Sequence, residues 1–207
     1  MDNNCPEKSI QLVIASNNVH KIHEFRTMLH NLQCFDVYSL KDFPTYQPPE
    51  ETGNTFEENA IIKATHAAKT LGIWAIGDDS GLIVPALNGQ PGVYSSRFAG
   101  KDATDKENRK KLLSMMETFS DEQRNAYFEC CIAFASPTSL IKSTCAICEG
   151  KILTQERGGN GFGYDPLFVK HDYGKTFAEL EPSVKNKISH RRKAFDKIIC
   201  TLESYSS

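Results

Sequence analysis

The chain has no strong excess of charge of either sign and no long apolar run. Its 207 residues include 24 basic and 26 acidic side chains, which gives a formal net charge of -2. That balance supplies no general attraction to nucleic acid or to an anionic membrane. No apolar run reaches the roughly 18 residues that a membrane-spanning helix needs, and residues 1–7 lack the regions of a signal peptide. We therefore expect a cytoplasmic protein whose partner is a small molecule, with neither nucleic acid nor a membrane as a partner.

The sequence also lacks a cysteine framework. Its 7 cysteines, an odd number, are scattered through apolar segments as reduced core cysteines usually are, so no disulfide framework is implied. Cys145 and Cys148 form a C-x-x-C pair, which Cys130 and Cys131 could complete into a zinc site. Both pairs lie in strand-like runs, whereas structural zinc ligands usually come from tight turns. Zinc or redox chemistry is therefore the weaker alternative.

The chain is long enough for one good core, since 40% of its residues are hydrophobic. This length fits one domain, or one domain with two lobes. Capping boxes at Thr55 and Thr104 predict the starts of two helices, and Gly72 predicts the end of the first. Strands are predicted at 10–15, 35–40, 73–76, 82–84, 127–136 and 140–148, and a last helix contains Ala194, Phe195, Ile198 and Leu202.

Two adjacent acids, Asp78 and Asp79, lie between glycines directly after the apolar run 73–76. Paired carboxylates at the end of a strand can hold a divalent cation. The same residues also suit a simple turn, because Asp and Ser side chains bond nearby backbone and Gly supplies positive φ. Two further acids, Glu50 and Glu51, lie in the connector 43–53, whose prolines would hold an acid in a fixed direction. Together with scattered cations, these acids suggest a metal and a phosphorylated ligand.

A polar turn, residues 16–21, lies between the first predicted strand and a helix predicted from the spacing of Ile22, Phe25, Leu29 and Leu32. A helix N-terminus at such a turn presents backbone N–H groups and the positive end of the helix dipole, which both favour an anion. The turn lacks the glycines of the common phosphate-binding loops, and Ser and Asn are also ordinary helix caps. It is therefore either a phosphate site or a capped helix start with a solvated Lys21.

Glycines and aromatics alternate in the loop 158–166, which contains Phe162 and Tyr164. Glycines let the backbone approach a flat ligand while a ring stacks on it, although tight turns with packed aromatics have the same composition. A basic run follows at 185–193, just before the last helix. Positive charge at a helix start is unfavourable unless an anion is bound, but most such runs are solvated faces.

Six segments, taken in order, resemble the inosine triphosphate pyrophosphatase family, also called the non-standard purine nucleoside triphosphate pyrophosphatases. They are residues 16–21, 51–53 with 56–64, 78–82, 91–100, 161–166 and 188–191, and the resemblance covers most of 12–202. Ser16 and Asn17 stand where the family usually has Thr and Gly, and His20 stands where it often has Gly. Asn17 can adopt positive φ, so we expect the turn to survive.

The resemblance implies an α/β fold with an elongated mixed sheet flanked by helices and two lobes around a central cleft. It implies a single domain over residues 1–207 that assembles as a homodimer. The implied substrates are ITP, dITP and XTP, which would be hydrolysed between the α and β phosphates to the monophosphate and pyrophosphate. This activity would remove non-standard purine nucleotides from the nucleotide pool.

The resemblance also assigns roles to individual residues. Glu51 and Asp79 would hold Mg²⁺, Asp79 would be the general base, and Asp78 would tune the charge or ligate the metal directly. A carboxylate with an ordinary pKa of about 4 is a weak base, so the metal would supply much of the activation of water. The residues that would bind the triphosphate are Ser16, Asn17, Asn18, Val19, His20, Lys21, Ser80 and Lys185. The residues that would bind the base are Phe162, Gly163, Tyr164, Asp165, His190 and Arg191.

Base selectivity and three alternatives stay open at the level of sequence. Hydrogen-bond donors that face a 6-keto oxygen would reject adenine, whose amino group is also a donor, but they would not reject guanine. The alternatives are a pyrophosphatase for modified pyrimidines or bulky bases, a nucleotide sensor without catalysis, and a nucleic-acid-binding module built on 185–193. The presence of Glu51, Asp79 and Lys21 together speaks against the sensor.

Overall fold

The computed structural model describes residues 9–32 and 34–205. The expectations for residues 1–7, including Cys5, lie outside these residues. The strands are β1 (Ile10–Ile14), β2 (Phe35–Ser39), β3 (Trp74–Ile83), β4 (Asn125–Ala135), β5 (Leu140–Ile152) and β6 (Phe168–Lys170). The helices are α1 (Val19–Leu29), α2 (Phe56–Leu71), α3 (Asp105–Met115), α4 (Pro182–Ile188) and α5 (His190–Glu203).

The strands form one sheet in the order β2-β1-β3-β4-β5-β6. β1 pairs in parallel with both β2 and β3, so that Leu12 lies opposite Val37 on one side and Trp74 on the other. Parallel neighbours need crossover connections, which here contain α1 and α2. β5 and β6 pair antiparallel, with Lys151 opposite Val169. The predicted α/β class with a mixed sheet is therefore confirmed.

The described residues divide into two compact units. Unit 1 contains the residues up to 79, 131–145 and those from 194 onward, and unit 2 contains 80–130 and 146–193. β3, β4 and β5 each contribute residues to both units. The description of the chain as one domain with two lobes stays a prediction. Within 9–32 and 34–205, no helix has the length and apolarity that crossing a bilayer requires.

In unit 1, α2 packs an alanine-rich face against β3. Ala60 and Ala64 are fully buried, and Gly77 of β3 lies against them. A Cβ atom added to Gly77 would lie 2.4 Å from the carbonyl oxygen of Ala60 and 2.6 Å from the nitrogen of Ala64. Glycine therefore lets this strand and helix approach more closely than any side chain at residue 77 would permit. The close packing that the alanine-rich sequence predicts is confirmed.

Both predicted capping boxes are present. Thr55 Oγ1 accepts the N–H of Glu58 at 3.1 Å, and the Glu58 carboxylate accepts the N–H of Thr55 at 3.2 Å. Thr104 and Glu107 make the same pair of contacts at the start of α3. α2 ends at Leu71, and its C-cap Gly72 has the left-handed conformation that the sequence predicts there.

Unit 2 has a hydrophobic core of its own. The rings of Phe128, Phe168 and Phe177 contact one another, with centroids 4.7 Å apart for Phe128 and Phe168 and 5.0 Å apart for Phe168 and Phe177. The imidazole of His190 stacks on Phe128 with a centroid distance of 4.7 Å. The aromatic core of unit 2 thus reaches the start of α5.

Arg124 is a buried cation that donates hydrogen bonds to backbone carbonyls of unit 2. Its side chain donates through Nε to Ile152 O at 2.7 Å, through Nη1 to Met116 O at 2.8 Å and through Nη2 to Leu153 O at 2.7 Å. One guanidinium therefore joins the end of α3 to the end of β5.

Replacing this guanidinium should destabilise the protein. We expect Arg124→Met to lower the free energy of unfolding by about 3 kcal/mol, because the variant keeps the apolar stem but leaves buried carbonyls without their donor. Urea denaturation followed by circular dichroism measures this. Lys106→Met, at an exposed position of α3, is the matched control. An equal loss in the two variants would contradict the role assigned to Arg124.

The expectation of reduced cysteines is wrong for one pair. Cys131 of β4 and Cys145 of β5 are joined by a disulfide, with Cα atoms 4.1 Å apart. The turn 136–139 connects these strands and brings the two cysteines side by side. The zinc alternative thereby loses two of its four thiolates. Cys130 and Cys148 are buried, and burial raises the pKa of Cys148, which disfavours the thiolate that metal binding needs.

Candidate functional site

Asp78 and Asp79 lie within β3 and not in a turn at its end. β3 runs without a break from Trp74 to Ile83, so the turn interpretation and the two separate strands predicted at 73–76 and 82–84 are wrong. Gly77 gives a misleading turn signal because it serves the close contact with α2. Both carboxylates are buried, with exposures of 2% for Asp78 and 7% for Asp79.

The two acids contact different helices. Successive side chains of a strand leave opposite faces of the sheet. Asp79 lies on the α2 side, together with Gly77, whereas Asp78 is bound by Lys21 of α1, whose Nζ lies 2.6 Å from Asp78 Oδ1. Lys21 is therefore not the solvated first-turn residue of the alternative interpretation.

Lys63 of α2 joins Asp79 to the proline-rich connector. Its Nζ donates to Asp79 Oδ1 at 2.8 Å and to Glu51 Oε1 at 3.2 Å. Asn59, fully buried one turn earlier, donates through Nδ2 to Asp79 Oδ2 at 3.2 Å. Both oxygens of Asp79 are thus held by α2. The carboxylate cluster, as we name it below, consists of Glu51, Asp78, Asp79, Lys21 and Lys63.

α2 holds the connector at three points, of which the contact with Lys63 is one. Tyr46 OH lies 2.8 Å from His66 Nδ1, and the N–H of Gly53 donates to Asn59 Oδ1 at 2.9 Å. The three helix positions are spaced by four and three residues, so they lie on one face of α2. The acid of the connector is therefore positioned by contacts with a helix as well as by the prolines.

Burial and neighbouring charges set the protonation of this cluster. Burial raises the pKa of Asp79 above its ordinary value, although the charges of Lys63 and Lys21 act in the opposite direction. Burial lowers the pKa of Lys63, but the carboxylates of Asp79 and Glu51 outweigh this effect and raise it overall. Lys63 therefore stays charged, and Asp79 is a stronger base than the ordinary carboxylate expected from the sequence.

The carboxylate cluster fits Mg²⁺ in its donor chemistry. Mg²⁺ prefers oxygen ligands and is usually bound through one or two carboxylates. Oxygens of Glu51 and Asp79 already converge on one cation, the ammonium of Lys63, within 3.2 Å. Asp78 is bound to Lys21 instead, so Glu51 and Asp79 are the better pair of metal ligands.

The turn 16–21 forms a capped helix start. Asn18 is the N-cap of α1, and its Oδ1 accepts the N–H of His20 at 2.9 Å and of Lys21 at 3.2 Å. Ser16 Oγ in turn accepts the N–H of Asn18 at 3.2 Å. The cap thus occupies two amides of the turn, and the Lys21 ammonium is its strongest group for attracting an anion.

Asn17 does not adopt the positive φ that the comparison with a family glycine suggests. Among the residues that the structure describes, Asn88 is the one non-glycine residue with positive φ. The turn forms because Asn18 takes the extended conformation of an N-cap, with φ -73 and ψ 113. Residues 17–20 are exposed, and Val19 retains 51% of its surface.

In unit 2, the glycine-rich loop (residues 158–166) is organised around Asp165. This carboxylate is 2% exposed and accepts the N–H of Phe162 at 2.9 Å and the ammonium of Lys185 at 2.6 Å. Lys185 Nζ also lies 4.6 Å from the centre of the Phe162 ring. Tyr164 is buried and donates its hydroxyl to a backbone carbonyl at 2.9 Å, and burial raises its pKa. The four loop residues predicted to bind a base therefore lie together with Lys185.

His190 and Arg191 begin α5, and both are buried in unit 2, with exposures of 5% and 1%. Arg191 donates through Nη2 to Ser80 Oγ at 2.8 Å. Lys185 is buried as well, so the run 185–193 is not solvated throughout. The nucleic-acid alternative thereby loses two of the five cations of the run, Lys185 and Arg191, while Lys187 and Lys193 are exposed.

Sequence reasoning missed Asn59 and Lys63. A signal was available, because both lie on the helix face that buries Ala60 and Ala64, and a polar residue on a buried face needs a specific partner. The sequence could not identify that partner, since it depends on how α2 packs against β3.

Known proteins resemble this chain over most of its length. Residues 12–200 match the sequence profile of the Ham1 family. A dITP/XTP pyrophosphatase of Protochlamydia amoebophila is 55% identical over 196 residues, which cover 94% of this chain and 98% of the relative. A dITP/XTP pyrophosphatase of Chlamydia abortus is 53% identical over 190 residues, which cover 91% of this chain and 92% of the relative.

Solved structures agree with these sequence matches. A HAM1 protein from Coxiella burnetii has a TM-score of 0.84 and 43% identity, and the match covers 94% of this chain and 99% of that one. The Ham1 protein of Staphylococcus aureus has a TM-score of 0.83 and 41% identity, with the same coverage. The family resemblance inferred from six short segments is confirmed by these matches. The chain belongs to the Ham1 family.

Proposed function

We propose that this protein is a metal-dependent nucleoside triphosphate pyrophosphatase that hydrolyses ITP, dITP and XTP to the monophosphate and pyrophosphate. The observation that carries the proposal is the buried Asp79 carboxylate, which α2 holds by both oxygens and which Lys63 joins to Glu51. Buried acids with perturbed pKa values and specific charge partners are typical of catalytic sites. Similarity to relatives named dITP/XTP pyrophosphatases supports the choice of purine substrates.

Asp79 is the general base of the proposed reaction. It accepts a proton from the water whose oxygen attacks the α-phosphorus, and the bond from that phosphorus to the α–β bridging oxygen breaks as pyrophosphate leaves. The raised pKa of Asp79 brings the base closer to neutral pH, where proton transfer is more efficient. Mg²⁺ bound by Glu51 and Asp79 would acidify a water and neutralise phosphate charge. Lys63 and Asn59 hold the carboxylate in place.

Charge on the departing pyrophosphate needs preorganised cations and donors. In unit 1, we assign this role to Lys21 and to the turn 16–21 that carries it. In unit 2, we propose Ser80 and Lys185 as phosphate donors. Lys21 and Lys185 already have protein carboxylates as partners, so phosphate would share cations that the fold holds in fixed positions.

Base recognition is assigned to residues of unit 2: Phe162, Gly163, Tyr164, Asp165, His190 and Arg191. Donors that face the 6-keto oxygen of hypoxanthine or xanthine would meet another donor in the amino group of adenine, and both groups would be left unpaired. This argument rejects ATP. Discrimination against GTP has to act at the 2-position of the base.

A pyrophosphate-release assay across nucleotides tests the proposed function. With Mg²⁺, we expect kcat/KM for ITP, dITP and XTP to exceed that for ATP at least about 100-fold, because rejection of adenine leaves buried donors unpaired. EDTA should abolish the activity. The assay includes GTP, which tests discrimination at the 2-position of the base, and dTTP, which tests whether a purine ring is required.

The outcomes of this assay separate the parts of the proposal. A metal-dependent activity that prefers pyrimidines would overturn the base assignment and leave the phosphate chemistry in place. Activity that persists in EDTA would overturn the metal requirement. Binding of ITP without pyrophosphate release would favour the nucleotide sensor.

We also propose where the protein acts in the cell and how it assembles. We place the protein in the cytoplasm, where it would remove deaminated purine nucleotides before polymerases use them, and we propose that it acts as a homodimer. The family resemblance supports the homodimer, and light scattering on the purified protein tests it.

A further inference from the structure

We infer that Asp105 and Arg109 of α3 are positioning residues that set base selectivity by fixing the backbone on both sides of Gly163. This inference rests on the function proposed above, because it concerns the glycine-rich loop assigned to the base. Neither residue lies in a segment that the family resemblance covers by motif, and neither belongs to the carboxylate cluster.

The two side chains bind opposite ends of one residue. The N–H of Gly163 donates to Asp105 Oδ2 at 2.7 Å, and Arg109 donates through Nη1 to the carbonyl oxygen of Gly163 at 2.8 Å. Arg109 is itself held by Glu156, whose Oε1 lies 2.9 Å from Nε, and its side chain is only 14% exposed. Both contacts to Gly163 involve a charged side chain, which makes them stronger than ordinary hydrogen bonds.

These contacts fix two successive peptide planes. The N–H of Gly163 belongs to the peptide that joins it to Phe162, and its carbonyl belongs to the peptide that joins it to Tyr164. Gly163 has φ +59, a conformation from which glycine can move with little resistance. Holding both planes therefore determines the directions in which the two neighbouring aromatic side chains leave the backbone.

Residues outside α3 hold the rest of the loop, so that α3 fixes the backbone at Gly163. Phe162 N–H is bound by Asp165, and the Tyr164 hydroxyl is bound by the carbonyl of Ser95. The contacts of Gly163 are the ones that come from α3. The loop is thus held by its own acid, by the carbonyl of Ser95 and, at Gly163, by α3.

Contacts that do not involve the loop hold α3 in position. Asp105 and Arg109 are four residues apart, so they lie on one face of the helix. The helix start is closed by the capping box of Thr104 and Glu107. Asn108 is 2% exposed and binds Ala99 N–H at 2.7 Å through Oδ1 and the carbonyl of Ser96 at 3.0 Å through Nδ2. The position of α3 is therefore fixed independently of the loop.

The test compares Asp105→Ala and Arg109→Ala with two matched controls. Lys106→Gln and Lys110→Gln lie at exposed positions of the same helix. We expect each alanine variant to reduce the ratio of kcat/KM for ITP over GTP by about tenfold, since a misaligned pocket loses a differential contact. KM for ITP should rise, while kcat at saturation stays within about twofold because the carboxylate cluster is unchanged. Arg109→Lys keeps a donor for the carbonyl of Gly163 and should restore part of the selectivity.

A second readout does not depend on activity. Hydrogen–deuterium exchange of a peptide that covers 158–166 should be faster in both alanine variants of the full chain without nucleotide, and unchanged in the controls. Unchanged exchange would overturn the positioning role. Faster exchange with unchanged selectivity would overturn its link to the base. A wild-type enzyme without base preference would overturn the proposed function, and the selectivity role with it, whereas the exchange result would still report whether α3 holds the loop.

Discussion

Asp79→Asn should lower kcat on ITP by at least about 1,000-fold, since general base catalysis alone contributes up to about 10⁴ and the variant also removes a metal ligand. Asparagine has nearly the same shape as aspartate and can still accept a hydrogen bond from Lys63 through its amide oxygen. It has no negative charge and no useful basicity. Pyrophosphate release at saturating ITP and Mg²⁺ measures the effect.

The fold of this variant can be monitored close to the substitution. Trp74 is the single tryptophan of the chain, it lies in the same strand, and it stacks on Phe134 with centroids 4.9 Å apart. Its fluorescence should match that of the wild-type protein. Asp102→Asn, at an exposed position, is the control and should keep full activity. Retention of more than about a tenth of wild-type kcat by Asp79→Asn would exclude Asp79 as the base.

Lys185→Met should have the largest effect on stability, lowering the free energy of unfolding by about 3 to 5 kcal/mol. The side chains of Lys185 and Asp165 are 6% and 3% exposed, and their charged atoms are 2.6 Å apart. Removing the lysine leaves a buried carboxylate without this cation, and desolvation of a charge that has lost its partner is costly. Urea denaturation followed by far-ultraviolet circular dichroism measures the loss.

Two further variants separate the ion pair from general effects of the substitution. Lys187→Met lies on the same helix at an exposed position and should change the free energy of unfolding by less than about 0.5 kcal/mol. Asp165→Asn combined with Lys185→Met removes both charges and should recover part of the stability, since the amide oxygen can still accept the N–H of Phe162. A Lys185→Met protein as stable as Lys187→Met would show that the pair contributes nothing.

Local signals in the sequence predicted the parts of the fold that depend on local chemistry. The capping boxes at Thr55 and Thr104 and the helix end at Gly72 are correct because each involves residues within one turn. The strand break predicted at Asp78 is wrong. Gly77 is there because α2 packs closely against it, and this tertiary contact cannot be predicted from local sequence rules. The local turn propensity of a residue is overridden where two secondary-structure elements pack closely.

In the candidate site too, some residues can be predicted from local sequence and others depend on tertiary packing. The acid pairs Glu50–Glu51 and Asp78–Asp79 were singled out from the sequence as candidate metal ligands, and the family resemblance selected Glu51 and Asp79 from them. Lys63 and Asn59, which bind them, require knowledge of which helix covers β3. The disulfide of Cys131 and Cys145 similarly depends on how β4 lies beside β5. Partners across elements are a property of topology, and a single sequence does not encode them in its local pattern.

The three contacts between the connector and α2 limit how this part of the chain can change in length. Each residue inserted into a helix turns everything beyond it by about 100°. One residue added between Asn59 and Lys63 would keep the first contact with the connector, but it would rotate Lys63 and His66 away from Glu51 and Tyr46. The stretch from 59 to 66 therefore tolerates substitution at half-buried positions that make none of these contacts, such as Ile61 or Ile62, far better than insertion or deletion.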